Sequence, residues 1–138
     1  MKVRSLRPEY ADFIPRELRE GVFYISKKYG TASHLCCCGC GTKIVTPLRP
    51  TEYTLTEAPG GVSLWPSIGN WDYPCQSHYI IENNLVRPAP QMSRAAIQRG
   101  RDYDDGLKTA YFAAKPQGQS WWTAALGWFA RTFKRLIG

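Results

Sequence analysis

Methionine and histidine are scarce in this chain, with two of each among 138 residues, and acidic residues number only 11 against 18 Lys and Arg. Few methionines beside abundant Gly, Pro, Trp and Tyr argue against a helical bundle and for short strands joined by turns. Long apolar runs are missing. No stretch approaches the ~20 residues that span a bilayer, and the opening Met-Lys-Val-Arg-Ser-Leu-Arg lacks an apolar run of signal-peptide length. A reducing cytoplasm is the expected compartment. Internal repeats are absent, as are the His-Glu-x-x-His helix of zinc peptidases and the His-x-Glu pattern of zinc deaminases.

The charge is uneven. Residues 1–89 carry ten Lys/Arg against eight Asp/Glu, and residues 90–138 carry eight against three. The body therefore offers no basic face for nucleic acid, and no nucleic-acid partner is expected.

Cysteine is concentrated where it does occur. His34, Cys36, Cys37, Cys38 and Cys40 fall within seven residues, and the fifth cysteine returns in Cys75-Gln-Ser-His78. An odd number of cysteines, four of them nearly adjacent, makes a poor disulfide framework, because neighbours cannot adopt the separation a bridge needs. Metal ligation fits better, with zinc the expected ion. Three ligand readings are open from spacing alone. An extended strand would put His34, Cys36, Cys38 and Cys40 on one face, with Cys37 opposite. A Cys-x-x-Cys-Gly knuckle would use Cys37 and Cys40. Cys75-x-x-His78 has ligand spacing as well. Only Asp72 and Glu82 lie near as acids, so a general base for a zinc hydrolase is lacking and a structural zinc is expected.

Strands are expected at Val22–Ser26, Lys43–Thr46, Glu52–Thr56, Val62–Trp65, Ser77–Glu82 and Leu85–Arg87, with turns at Pro59-Gly60-Gly61 and Asn83-Asn84. The implied fold is mainly β: a small zinc-stabilised antiparallel sheet or partly open barrel with a C-terminal amphipathic helix. Residues 1–89 are expected to form the zinc-binding domain. After Pro88-Ala89-Pro90, residues 90–119 read as a polar linker with short helical possibilities at best. Residues 120–138 read as an amphipathic helix, Trp121, Trp122, Leu126, Trp128, Phe129 and Phe133 on one side and Arg131, Lys134 and Arg135 on the other. That helix suits packing on the domain's own sheet, docking to a partner, or contact with a membrane surface.

Taken together, Thr31-Ala32-Ser33-His34-Leu35-Cys36-x-Cys38-Gly39-Cys40-Gly41, Thr46-Pro47-Leu48, Val62-Ser63-Leu64-x-Pro66-Ser67-Ile68-Gly69-Asn70-Trp71 and Cys75-x-Ser77-His78-Tyr79 resemble the BubE-like family over about residues 14–87. Members are small bacterial proteins found beside ubiquitin-like, E1-like and E2-like genes. The resemblance implies a peptidase that processes or reverses ubiquitin-like conjugation, with a ubiquitin-like protein as partner and E1-like or E2-like proteins as further partners. Its pattern His-x-Cys-x-Cys-Gly-Cys-Gly falls on His34, Cys36, Cys38 and Cys40 and leaves Cys37 a bystander. Cys36, Cys38, Cys40 and Cys75 are then the expected metal ligands.

With the cysteines committed to metal, a peptidase needs a serine nucleophile, a base and oxyanion donors. Ser67, in the turn-like segment Pro66–Asn70, is the first candidate, with Ser77 second. His78 or His34 would be the base, Asp72 an orienter and Asn70 an oxyanion donor. The competing reading is a non-catalytic zinc module that binds partners of the same pathway. A leftover thiol, Cys36 or Cys37, is a further candidate nucleophile.

Overall fold

The computed structural model describes residues 1–116. Eight strands form two four-stranded sheets. The first has the order β1 (Arg7–Tyr10), β2 (Val22–Ser26), β3 (Thr31–Leu35) and β4 (Lys43–Pro47). The second has the order β5 (Thr54–Ala58), β6 (Gly61–Gly69), β7 (His78–Glu82) and β8 (Leu85–Pro88). Every pairing is antiparallel except β1 with β2. The fold is thus mainly β, with two open sheets and no closed barrel.

Alternating side chains give the two sheets one core. Phe23, Ile25, Ala32 and Ile44 from the first meet Val62, Leu64, Ile68, Tyr79, Ile81 and Val86 from the second. β2 is buried along its whole length because it is covered twice. One face meets the core. The other lies beneath the segment after β1, where Ser26 Oγ donates to the Asp12 carbonyl and the Tyr24 hydroxyl accepts from Arg19. The N-terminal segment joins the sheets, its Ser5 bridging Leu85 and its Val3 and Leu6 entering the core before β1 begins.

The hairpin of β7 and β8 turns at Asn83-Asn84, both at positive φ (49° and 66°), the left-handed pair that a two-residue hairpin with the sheet's own twist requires. Asn84 also accepts the Val62 N–H at 2.8 Å through its side-chain oxygen, tying the hairpin to the neighbouring one.

Four elements differ from the sequence reading. β3, over Thr31–Leu35, lies outside the expected strands. β1 contains Pro8 and shows no hydrophobic alternation, which suits an edge strand and hides it from pattern analysis. Pro66–Gly69 belongs to a strand rather than a turn, with a register shift between Leu64 and Ile68. Residues 94–114, inside the segment read as a linker, form the helix α1 (Arg94–Ala114). Ser93 caps it, accepting the Ala96 N–H at 3.2 Å. None of its residues is buried, its sequence is polar on average, and Gly100 and Gly106 lower its propensity further. One compact unit runs from Met1 to Leu107, and a second begins at Lys108. The expected helix at 120–138 lies outside the described residues. Among the described residues no helix is long and apolar enough to cross a membrane.

Candidate functional site

Two clusters of reactive side chains stand at one end of the second sheet, joined by the loop between β6 and β7. The first is made of thiols. β3 ends at Leu35, and Cys36–Cys40 form a tight turn before β4. The turn needs positive φ at Gly39 (91°) and Gly41 (80°), which glycine supplies without strain. It gathers Cys36, Cys38 and Cys40, and the β6–β7 loop brings Cys75, so that the four sulfurs lie within 4.8 Å of one another. A tetrahedral zinc–thiolate site, with bonds of about 2.3 Å, needs sulfurs about 3.8 Å apart. The four thiols are placed to hold a metal ion.

Hydrogen-bond donors around the sulfurs suit thiolates. The Asn70 amide reaches Cys36 Sγ at 3.4 Å, the Ser77 hydroxyl lies 3.1 Å from the same sulfur, and the Thr42 hydroxyl lies 3.2 Å from Cys40 Sγ. Cys37 is turned away into the core, where burial pushes its thiol up to about 12. A thiol so buried and so hard to ionise is no nucleophile.

His34 does not join the thiols. The extended alternation stops at β3, and the turn reorients everything after it. The ring is fully buried in the core, edge-on to Phe23 and Tyr79, with Nε2 2.8 Å from the Tyr79 hydroxyl. Burial holds its pKa down at about 4, so it is neutral there. Among the described residues its Nδ1 has no hydrogen-bond partner. Since β3 and β7 belong to different sheets, this pair links one sheet to the other through the core.

The second cluster is a serine and a histidine. Ser67 Oγ lies 2.9 Å from His78 Nε2. The ladder explains the meeting. Asn70 N–H donates to the Ser77 carbonyl at 2.9 Å, and Ala89 N–H donates to the His78 carbonyl at 2.9 Å, away from β6. Gly69 and His78, directly opposite each other, are therefore a non-hydrogen-bonded pair, the kind whose side chains stand closest. Gly69 brings no side chain of its own, and Ser67, two residues earlier on the same face, fills the position next to His78. The Trp71 indole packs over Gly69, where any Cβ would overlap it, and its ring centroid lies 4.9 Å from that of His78.

The other imidazole nitrogen is held by backbone. His78 Nδ1 lies 2.5 Å from the carbonyl oxygen of Pro90. A carbonyl only accepts, so Nδ1 carries a proton, and in the neutral ring Nε2 is the nitrogen that can accept from the serine. Asp72, the expected orienter, points elsewhere: both its oxygens accept from Arg101 on α1, at 2.8 and 2.9 Å.

Asn70 and Ser77 belong to the thiol side. The Asn70 amide donates to Ser77 Oγ at 2.8 Å as well as to Cys36, which turns it from the role expected of it at Ser67. Ser77 contacts Cys36 and Cys75 and has no histidine partner.

Pro90 carries the one contribution that residue reading passed over. A main-chain carbonyl has no residue signature, yet a hairpin turning at Asn83-Asn84 sets Ala89 opposite His78, and the next residue follows. Beside the pair runs a cleft of about 440 Å³, lined by Tyr53, Pro66, Gly69 and Trp71 and by Ala96, Gly100 and Asp104 of α1.

A serine and a histidine in hydrogen-bond contact at an open cleft are the minimal apparatus of a serine hydrolase. Residues 10–89 match the family model described as bacterial ubiquitination-like system serine protease (BubE), and the chain belongs to that family. No curated protein and no solved structure matches it.

Proposed function

We propose that this protein is a serine peptidase that hydrolyses the C-terminal junction of a ubiquitin-like protein, with Ser67 as nucleophile and His78 as base. The observation that carries this is the Ser67–His78 contact, with Nδ1 engaged by Pro90 so that Nε2 is free to accept. In the first half-reaction Ser67 Oγ bonds to the carbonyl carbon at the junction as its proton passes to Nε2. The C–N bond then breaks, and His78 gives that proton to the leaving amine. A water next attacks the acyl carbon and passes a proton to Nε2. The Ser67 C–O bond breaks, and the serine recovers its proton. Backbone N–H groups of the cleft are left to hold the oxyanion, since the Asn70 amide is occupied.

Cys36, Cys38, Cys40 and Cys75 would hold zinc. Four thiolates leave no open position, so its contribution is structural. The site fixes the loop from Asn70 to Ser77 whose two ends carry Gly69 and His78, and in that way supports the pair without touching substrate.

The test is intact-mass analysis after incubation with the ubiquitin-like precursor of the same system. One cut after the mature C-terminal residue, lost in Ser67→Ala, supports the reading. No cut by protein that is folded and metal-loaded would favour a non-catalytic binding module.

A further inference from the structure

We infer that the outer edge of β6, at Pro66–Gly69, takes the substrate as an added β-strand, the occupant being an extended, basic C-terminal tail of the ubiquitin-like protein. The inference rests on the hydrolytic reading for the identity of its occupant, and on the sheet for the rest.

β6 outlasts its neighbour. The β5 ladder ends at Thr54 opposite Trp65, and the residue before it turns off, Tyr53 N–H donating to the Pro47 carbonyl at 3.1 Å. β6 continues to Gly69 with β7 on one side only. Because Gly69 and His78 form a non-hydrogen-bonded pair, the Gly69 N–H and C=O point outward, to the side that β5 has left. Among the described residues no strand covers this edge. An uncovered edge is a template for any extended chain, and proteins ordinarily blunt one. Here the uncovered stretch contains the proposed nucleophile.

The cleft has the form such a strand needs. It runs between this edge and the first turns of α1, which line it with Ala96, Ile97, Gly100, Arg101 and Asp104. Its charge selects the occupant. Arg101 is taken up by Asp72, whereas Asp104 lines the cleft with no ion-pair partner among the described residues. A tail with a Lys or Arg side chain on that side would complete it.

The experiment uses the ubiquitin-like protein of the same system, ligated to synthetic tails in which each backbone nitrogen in turn is methylated. Binding to full-length Ser67→Ala is read by fluorescence polarisation. A strand uses the N–H of alternate residues only, so methylation should weaken binding about tenfold at every second position and little between, one lost hydrogen bond each. Asp104→Lys should weaken the native tail and be rescued by exchanging the tail's basic residue for Glu. No binding, or losses without alternation, overturns the inference. Cleavage by unaltered protein is followed in parallel. Cleavage without alternation removes the added strand and leaves the hydrolase. Alternation without cleavage does the reverse.

Discussion

Ser67 Oγ stands 2.9 Å from His78 Nε2, and the far nitrogen of the same ring is held by a main-chain carbonyl, that of Pro90, in the place where a carboxylate is more usual. The arrangement sets the tautomer as an acid would, without a second charge. Removing the hydroxyl leaves geometry and metal untouched. Ser67→Ala should lower kcat/KM by about 10³-fold or more, and His78→Ala comparably, because the two act as one unit. Melting temperature and metal content of Ser67→Ala should match the native protein, and a variant that kept full activity would end Ser67's claim.

With a carbonyl as orienter, no acidic side chain should be indispensable. Asp72 is well exposed and bound to Arg101, an ion pair of the modest kind found at surfaces. Asp72→Asn should therefore change kcat/KM by less than about fivefold. A loss on the scale of His78→Ala would show that Asp72 swings to the histidine during turnover.

The thiol cluster divides the five cysteines four to one. Metal analysis should find one zinc per chain, kept in Cys37→Ala and lost in Cys75→Ala. Binding free energy at such a site is folding free energy, so chelation should lower the melting temperature and abolish cleavage together. Cleavage lost while the fold stayed intact would instead mark the metal as a participant in the chemistry.

Much of this was legible beforehand because it depends on local chemistry. β2 and β4 stand where β-branched and aromatic runs place them, and the Asn83-Asn84 hairpin follows from the residues that tolerate positive φ. The thiol set was harder. Strand alternation groups His34 with Cys36, Cys38 and Cys40, but the strand ends at Leu35, the chain turns through Gly39 and Gly41, and the histidine stays behind in the core. Strand alternation sets Cys37 apart while the knuckle spacing makes it a ligand, and the family pattern decides between them. What could not be read is what lies in backbone or in tertiary pairing. The Pro90 carbonyl has no letter of its own, and Asn70 looked free until Ser77 and Cys36 claimed it. α1 is polar on average, buries none of its residues and carries two glycines, so its composition resembles a linker.

His34 and Tyr79 meet through a hydrogen bond that crosses the core from one sheet to the other. Tyr79→Phe keeps the ring's packing and leaves His34 Nε2 without its partner in a fully buried site. The expected cost is about 1–3 kcal/mol of stability, seen as a lower denaturant midpoint at unchanged slope. Measured well below that midpoint, kcat should be unaffected. A fall in kcat would return His34 to the list of candidate bases.

Gly69 tests whether the indole positions the histidine. A Cβ there would overlap the Trp71 ring, so in Gly69→Ala either the strand or the indole must shift, and an overpacked contact of this kind costs about 1–3 kcal/mol. The indole also lies against His78, so its displacement should loosen the imidazole and lower kcat. If crowding is the cause, removing the crowded group should relieve it. Gly69→Ala added to Trp71→Ala should then cost less stability than Gly69→Ala alone, with a coupling of about 1–2 kcal/mol between the positions. The kinetic outcome should differ, because the double variant regains space without regaining the wall. Stability recovered while kcat stays low would establish Trp71 as the residue that holds His78 against Ser67. Recovery of both would mean that the glycine matters only for fit, and that Pro90 alone suffices to aim the ring.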